Sequence, residues 1–186
     1  MRREATKKLF TVDEYYRMAV SGILSEEIRT ELINGEIIER SPMRAQHAAA
    51  VSRVTDLLLP LLKGRALLRP RLPLRLSEYN EPQPDLTFVK ARRDYYVGRH
   101  PGPGDTLLAV DISDTVLPYD RELKLTMYAA ARIPEYWIAD LADDVLLVFR
   151  DPAVGTYKTS RAYRRGDAMT VLAFPETPVE VSDLLG

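Results

Sequence analysis

Residues 107–128 read LLAVDISDTVLPYDRELKLTMY, and this stretch decides how the rest of the chain is interpreted. Its apolar beginning, 107–110, predicts a buried central strand. Asp111 interrupts the apolar run, and a carboxylate in a core strand requires a partner. The second half predicts a helix on which Lys124 lies one turn after Asp120. The stretch therefore predicts a strand–turn–helix unit that carries an acid and a lysine.

The composition indicates a globular domain and excludes several kinds of site. With 186 residues, 46% hydrophobic and 28% charged, the chain is long enough for one domain spanning residues 1–186. The absence of cysteine excludes disulfides and thiolate metal sites, and the presence of only two histidines argues against a zinc centre. No apolar run reaches the length of a membrane span, and no signal peptide is visible. We therefore expect a cytoplasmic protein without a membrane partner.

The N-terminal part predicts a helix followed by a β-hairpin. Thr11 and Glu14 have the spacing of a capping box, which marks the start of the helix. The dipeptide Asn34-Gly35 predicts a two-residue hairpin turn. This turn places Glu31 opposite Ile38 on the apolar face of the hairpin, so Glu31 is a candidate site residue.

A second helix and an arginine-bearing strand are predicted next. Ser41-Pro42 is typical of a helix start, Pro60 is expected to kink or end the helix early, and Gly64 closes it. Between residues 65 and 77, apolar side chains alternate with arginines, which predicts a strand with one arginine face. Prolines within this stretch favour an edge strand. The arginines are Arg65, Arg69, Arg71 and Arg75.

The remaining elements complete an α/β (α+β) pattern. Strands are predicted at 85–89, 135–140 and 145–150, and a basic loop at 90–105. Further edge strands are predicted in the C-terminal part, at Tyr157–Tyr163 and Met169–Phe174. The alternation of helices with strands predicts a central mixed β-sheet flanked by helices, with an N-terminal helix and β-hairpin.

Two aspartates suggest a metal site. Asp85 begins one strand and Asp111 ends the next, so the two carboxylates converge if the strands are antiparallel neighbours. Val110 and Ile112 point to one face, and Asp111 and Ser113 to the other. Two carboxylates with water and phosphate oxygens suit Mg²⁺ or Mn²⁺, and such a cation relieves their repulsion.

Lys124 is the candidate for acting on water or phosphate. It shares a helix face with Asp120 and Tyr128. If this face looks towards Asp111, the ammonium could orient a nucleophilic water or stabilise a pentavalent phosphate. Glu31 could supply a further ligand.

Each of these features has a structural alternative. Asp120 and Lys124 also form an ordinary surface ion pair, and the arginine face is also typical of a solvated sheet edge. His47 is interpreted as a helix-packing or capping residue. Tyr136 and Trp137 are interpreted as core side chains.

Five short motifs follow one another along the chain: Glu31–Glu36, Glu81–Leu86, Val110–Asp114, Tyr119–Arg121 with Lys124 and Tyr128, and Ile133–Ile138. From about Phe10 to the C-terminus, this ordered set resembles the Uma-type restriction endonuclease family of bacteria, formerly of unknown function. That family is placed in the PD-(D/E)xK nuclease superfamily. The resemblance implies a restriction-endonuclease-like fold and Mg²⁺- or Mn²⁺-dependent hydrolysis of DNA phosphodiester bonds.

The resemblance also implies roles for individual residues. Asp85 corresponds to the aspartate of the PD motif and Asp111 to the second acid, with the backbone carbonyl of Ile112 as a third metal ligand. Glu31 corresponds to an upstream acid that assists. The chain departs from the family pattern at the second acid, which is usually glutamate. Shortening that side chain by one methylene withdraws the carboxylate by roughly 1.5 Å.

A second departure concerns the catalytic lysine. Ser113 occupies the position two residues after the second acid, where the superfamily motif has lysine. The resemblance implies that this lysine has moved to the following helix, as Lys124.

The sequence leaves three functions open. The first is an endonuclease that acts on DNA, alone or as a homodimer that addresses both strands. In this function Arg69, Arg71 and Arg75, with Arg92, Arg93 and Arg99, would contact phosphates. The second is a non-catalytic interaction or regulatory module on the same fold, which the net charge of −1 and the departure at Asp111 favour. The third is hydrolysis of another phosphate ester. No base-reading helix or aromatic ladder is visible, which predicts little sequence specificity.

Overall fold

The computed structural model describes residues 6–25, 27–62, 64–114 and 118–186, and the side chains of 118–120 lie outside the description. The helices are α1 (Val12–Val20), α2 (Ala45–Leu62), α3 (Pro118–Ala130) and α4 (Val181–Leu185). The strands are β1 (Thr30–Ile33), β2 (Glu36–Glu39), β3 (Ala66–Pro70), β4 (Leu86–Lys90), β5 (Thr106–Ser113), β6 (Glu135–Asp140), β7 (Val145–Ala153), β8 (Thr156–Tyr163), β9 (Ala168–Val171) and β10 (Phe174–Glu180). A single 3-10 turn, Pro103–Asp105, precedes β5.

A six-stranded mixed sheet forms the centre of the structure, in the order β3-β4-β5-β6-β7-β8. Within it, β5 and β6 are parallel and the other neighbours are antiparallel. The parallel pair requires a crossover, which α3 supplies. The prediction of a central mixed sheet flanked by helices is confirmed.

Two apolar layers cover the two faces of this sheet. Val110, Ile112 and Trp137 face the layer that contains buried side chains of α2 and α4. Ala109, Tyr136 and Ile138, which alternate with them, face the layer that contains α3. Asp111 shares the parity of Ala109, so its carboxylate lies on the α3 side, as the alternation predicted.

The N-terminal predictions are confirmed in detail. The Thr11 hydroxyl accepts from the Glu14 N–H, and the Glu14 carboxylate accepts from the Thr11 N–H. In the hairpin, Glu31 pairs with Ile38. Gly35 has φ +75°, and a Cβ there would lie 2.7 Å from the Leu9 side chain, so the turn requires glycine.

Helix α2 differs from the prediction at both ends. It begins at Ala45 rather than at Ser41-Pro42, and Pro60 lies inside it instead of ending it. Pro60 falls in the last turn, where the loss of its N–H removes a single helical hydrogen bond. The buried side chains of Leu58 and Leu62 on either side anchor this turn to the core.

The strand predicted over residues 65–77 is confirmed only for Ala66–Pro70. Strand β3 ends at Pro70, and Arg71 adopts φ +51°, a left-handed conformation that turns the chain out of the sheet. Arg71 donates its N–H to the Asp85 carbonyl in this turn, 3.0 Å away. The two prolines in this segment account for the early end, because proline cannot donate to a strand ladder.

The C-terminal strands are partly as predicted. β8 is an edge strand of the central sheet, whereas β9 pairs with β10 in a separate two-stranded sheet. The predicted surface pair of Asp120 with Lys124 lies outside the described side chains. Within the described parts of the chain, no helix combines the length and the apolar character needed to cross a bilayer.

Candidate functional site

The antiparallel pairing of β4 with β5 brings Asp85 and Asp111 together. Leu86 pairs with Val110, so Asp85, one residue earlier, lies beside Asp111. The Asp85 Oδ2 atom accepts a hydrogen bond of 2.9 Å from the backbone N–H of Ile112. Both aspartates retain only 7% of their exposure. Two nearly buried carboxylates therefore share one end of the sheet.

Lys124 reaches the second of these acids from α3. Its Nζ atom donates to Oδ1 of Asp111 at 2.8 Å, and the side chains of both residues are nearly buried. The hydroxyl of Tyr136, on β6, donates to Oδ2 of the same carboxylate at 2.9 Å. Both oxygens of Asp111 are thus held by hydrogen-bond donors from neighbouring elements.

The electrostatic environment shifts the pKa values of the two acids in opposite directions. Burial raises the pKa of Asp111, the nearby Asp85 charge adds to this, and the Lys124 ammonium offsets only part of the increase. Burial also opposes the ionisation of Asp85, but His47 and the Ile112 N–H together hold its pKa below the usual value. Burial alone would lower the pKa of Lys124, whereas the charges of Asp111 and Glu31 raise it. Lys124 is therefore a hydrogen-bond donor rather than a base.

His47 belongs to this site, which the sequence did not indicate. Its Nε2 atom lies 2.9 Å from Oδ1 of Asp85. The hydrogen bond with Asp85 raises the pKa of His47 against the effect of burial. The interpretation of His47 as a packing residue is thus incomplete, because the first turn of α2 places its side chain against Asp85, just before β4. Tyr136 was likewise interpreted as a core side chain, and it is buried, but its hydroxyl serves the site.

Glu31 lines the same cavity from the hairpin. Its Oε2 atom accepts from Arg40 at 2.8 Å, and its Oε1 atom lies 3.6 Å from a terminal nitrogen of Arg29. Glu31 is 2% exposed and therefore depends on these arginines for the compensation of its charge.

The three arginines predicted as phosphate contacts lie in different surroundings. Arg71 lines the cavity, and its Nε atom lies 3.8 Å from Oδ1 of Asp85. This Nε atom is buried and has no hydrogen-bond partner among the described residues. Arg69 lies over the ring of Tyr96. Arg75 forms an ion pair of 2.9 Å with Asp13.

A cavity of about 880 Å³ joins these groups. Its charged lining residues are Arg29, Glu31, Glu39, Arg40, Arg44, His47, Arg71, Asp85, Asp111, Asp114, Arg121, Glu122, Lys124 and Asp140. A lining that carries charges of both signs suits a ligand that carries negative charge together with a cation.

The donor set fits a hard cation such as Mg²⁺ or Mn²⁺ better than a metal that prefers thiolate or imidazole ligands. No group of three or more His, Cys, Asp or Glu side chains with metal-binding geometry occurs among the described residues. Mg²⁺ keeps several waters and is commonly held by one or two carboxylates together with substrate phosphate, so Asp85 and Asp111 are the residues that could hold it. Ile112 follows Asp111 in sequence, and its backbone N–H donates to Asp85.

Comparisons with known proteins identify the fold and the family of the chain. A solved structure described as a "putative nuclease belonging to DUF820" from Anabaena variabilis matches with a TM-score of 0.69 and 16% identity, covering 95% of this chain and 97% of that one. This likeness shows the fold, which is restriction-endonuclease-like. None of the curated proteins matches the chain. The model of the Uma2 family, described as "Putative restriction endonuclease", matches residues 12–182. The chain therefore belongs to the Uma2 family.

Proposed function

We propose that the protein is a divalent-metal-dependent endonuclease that hydrolyses DNA phosphodiester bonds. The observation that carries the proposal is the 2.8 Å contact between Lys124 and Asp111 beside Asp85. Although Ser113 stands where the superfamily motif has lysine, an ammonium from α3 reaches the second acid. The family membership supports a nuclease, and the metal dependence and the DNA substrate are our inference.

Asp85, Asp111 and the carbonyl of Ile112 would hold Mg²⁺ or Mn²⁺. When bound, the ion would neutralise the charge that develops on the phosphoryl group. Lys124 uses one N–H on Asp111, which leaves two donors for a water molecule or a phosphate oxygen. Its raised pKa keeps these donors in place at neutral pH. Lys124 thus orients the attacking water and stabilises the transition state.

The surrounding side chains would position the substrate. The unpartnered Nε atom of Arg71 offers a donor to a phosphate oxygen at the cavity wall. Glu31 assists indirectly, because its charge raises the pKa of Lys124. A homodimer would present two such sites to the two strands of a duplex.

Cleavage of supercoiled plasmid and of single-stranded DNA in Mg²⁺ or Mn²⁺ tests the proposal. We expect nicking that disappears in Asp85→Asn and in Lys124→Met, with Lys158→Met on the exposed face of β8 as the matched control. Cleavage that persists in both site variants would contradict the proposal.

Calorimetry with Mn²⁺ provides a readout that does not require activity. We expect binding to the unsubstituted protein and a loss of at least tenfold in affinity in Asp85→Ala. Equal binding by both would exclude Asp85 as a ligand. Absence of both binding and cleavage would favour the alternative, a non-catalytic module, for which the hydrogen bonds from Lys124 and Tyr136 to the two oxygens of Asp111 are the supporting observation.

A further inference from the structure

The loop between β4 and the 3-10 turn presents two adjacent tyrosines in an unusual conformation. Tyr95 and Tyr96 have φ angles of +49° and +63°, both in the left-handed region. For a residue with a bulky side chain, this conformation costs about 1–2 kcal/mol. Tyr96 is buried, whereas Tyr95 is 71% exposed. The backbone therefore holds the ring of Tyr96 inside and directs the ring of Tyr95 into solvent.

Three guanidinium groups surround the ring of Tyr96. The Cζ atoms of Arg92, Arg99 and Arg69 lie 5.0, 5.6 and 5.9 Å from the centre of the ring. These distances are within the range of cation–π attraction. Tyr96 also donates its hydroxyl to the Lys90 carbonyl at 2.8 Å, which fixes the ring beneath the loop.

The surface around Tyr95 carries an excess of positive charge. Residues 90–99 contain four basic side chains and one acid, Asp94. Asp94 and Asp105 pair with Arg92 and Arg99. Arg93 is exposed and has no ion-pair partner among the described residues. Two of the loop's cations are thus compensated, while Arg93 remains available to an anion.

This surface lies beside the candidate site rather than remote from it. The contact with Tyr96 places the loop over Arg69, which pairs with Thr87 on β4. Thr87 lies two residues after Asp85, roughly 7 Å at the rise of a strand, and Arg71 lies beside Asp85 at the cavity wall. Arg69, in contact with the loop, and Arg71, beside Asp85, therefore lie between the loop and the candidate site.

We propose that the loop of residues 91–99, which we call the tyrosine loop, binds unpaired DNA next to the strand that enters the candidate site. Tyr95 supplies a stacking surface for a base, and Arg93 and Arg69 contact phosphates. Base stacking on an exposed ring combined with cationic side chains is how proteins bind single strands without reading sequence. The identity of this DNA as the substrate strand rests on the proposed nuclease function. Its binding to the tyrosine loop can be measured without cleavage.

Fluorescence anisotropy with a labelled single-stranded oligonucleotide in EDTA tests the inference, because no cleavage occurs without metal. We expect Tyr95→Ala to weaken binding about tenfold, as the loss of one stacked base implies, and Tyr95→Phe to retain the affinity. Tyr79→Ala, at another exposed tyrosine, serves as the control. We also expect the unsubstituted protein to bind the single strand more tightly than a duplex of the same sequence.

The salt dependence of the same binding tests the phosphate contact. Arg93→Gln should reduce the slope of log K against log salt by about 0.7, the value for one single-strand phosphate. Arg161→Gln is the matched control, because Arg161 lies over Tyr163 on β8, the opposite edge strand. Unchanged binding in Tyr95→Ala and Arg93→Gln, an equal loss in the controls, or no binding by the unsubstituted protein would overturn the inference. Binding that depends on Tyr95, without cleavage in Mg²⁺ or Mn²⁺, would retain this surface and reject the nuclease.

Discussion

Tyr136 donates its hydroxyl to Oδ2 of Asp111 at 2.9 Å, across the parallel pair of strands β5 and β6. Lys124 occupies the other oxygen of the same carboxylate. Because Asp111 is almost fully buried, these two donors replace the hydration that it would have in water. The short aspartate side chain is thereby fixed in one orientation towards Asp85. The orientation depends on three elements, β5, β6 and α3.

Tyr136→Phe should reduce both stability and activity. Removing the hydroxyl leaves one buried carboxylate oxygen without this donor, which costs about 1–3 kcal/mol of unfolding free energy. Cleavage should fall because Asp111 gains rotational freedom. Urea unfolding and the plasmid assay measure the two effects.

Tyr157→Phe is the matched control, since the Tyr157 hydroxyl is also buried but donates to the Ile133 carbonyl, 3.0 Å away. It should lose stability by a similar amount without losing cleavage per folded molecule. Equal losses of activity in both variants would show that Tyr136 acts on the fold alone.

Pro60→Ala should stabilise the protein. Pro60 is exposed in the last turn of α2, where alanine would restore a helical hydrogen bond. Alanine favours the helix by up to about 3 kcal/mol of unfolding free energy. The greater conformational freedom of the unfolded chain without proline offsets about 0.4–1 kcal/mol of this. We therefore expect a net increase of roughly 2 kcal/mol in urea unfolding. Leu59→Ala, an exposed neighbour, should change stability far less; a similar gain there would contradict the proline argument.

Local sequence signals predicted local structure well. The capping box at Thr11 and the Asn34-Gly35 turn are formed by residues within a few positions of one another, so their patterns contain the necessary information. The position of Asp111 followed from the strict alternation of a strand. Its contact with Lys124 remained conditional on the orientation of α3, and only the family resemblance indicated this lysine.

Long-range contacts were not predictable in the same way. His47 lies 38 residues before Asp85 in sequence, and its contact depends on the angle at which α2 crosses the sheet. The arginine alternation between 65 and 77 fitted a strand, but the chain leaves the sheet after Pro70, where Arg71 adopts a left-handed conformation. Glu135 received no role from the sequence, although it is completely buried among partners from three segments.

Glu135 should make stability depend on pH. Burial is the largest cause of its raised pKa, and bonds from the Leu172 N–H, Trp137 and Arg150 offset only part of the increase. At pH values between the ordinary pKa of glutamate and the raised pKa of Glu135, the folded protein therefore binds more protons than the unfolded chain. Stability contributed by this group consequently falls as pH rises through that window and is recovered on acidification.

The measurement is the difference in unfolding free energy between the unsubstituted protein and Glu135→Gln from about pH 4 to pH 7. We expect this difference to change across the window, because glutamine does not titrate. Glu176→Gln, at an exposed acid paired with Arg65, tests whether any carboxylate gives the same curve. A difference that is independent of pH would mean that Glu135 ionises equally in both states.

The pair formed by Lys124 and Asp111 should behave differently in stability and in catalysis. Lys124→Met leaves a buried carboxylate without its cation, and breaking such a pair costs about 3–5 kcal/mol. Adding Asp111→Asn removes the uncompensated charge and should restore part of this loss. The double variant should nevertheless remain inactive, because neither the proposed metal ligand nor the ammonium is present. Urea unfolding of the unsubstituted protein, Lys124→Met, Asp111→Asn and the double variant gives the coupling energy between the two side chains. If the double variant were no more stable than Lys124→Met alone, the two side chains would not form an electrostatic pair, and the contact that supports the proposed nuclease would lose its significance.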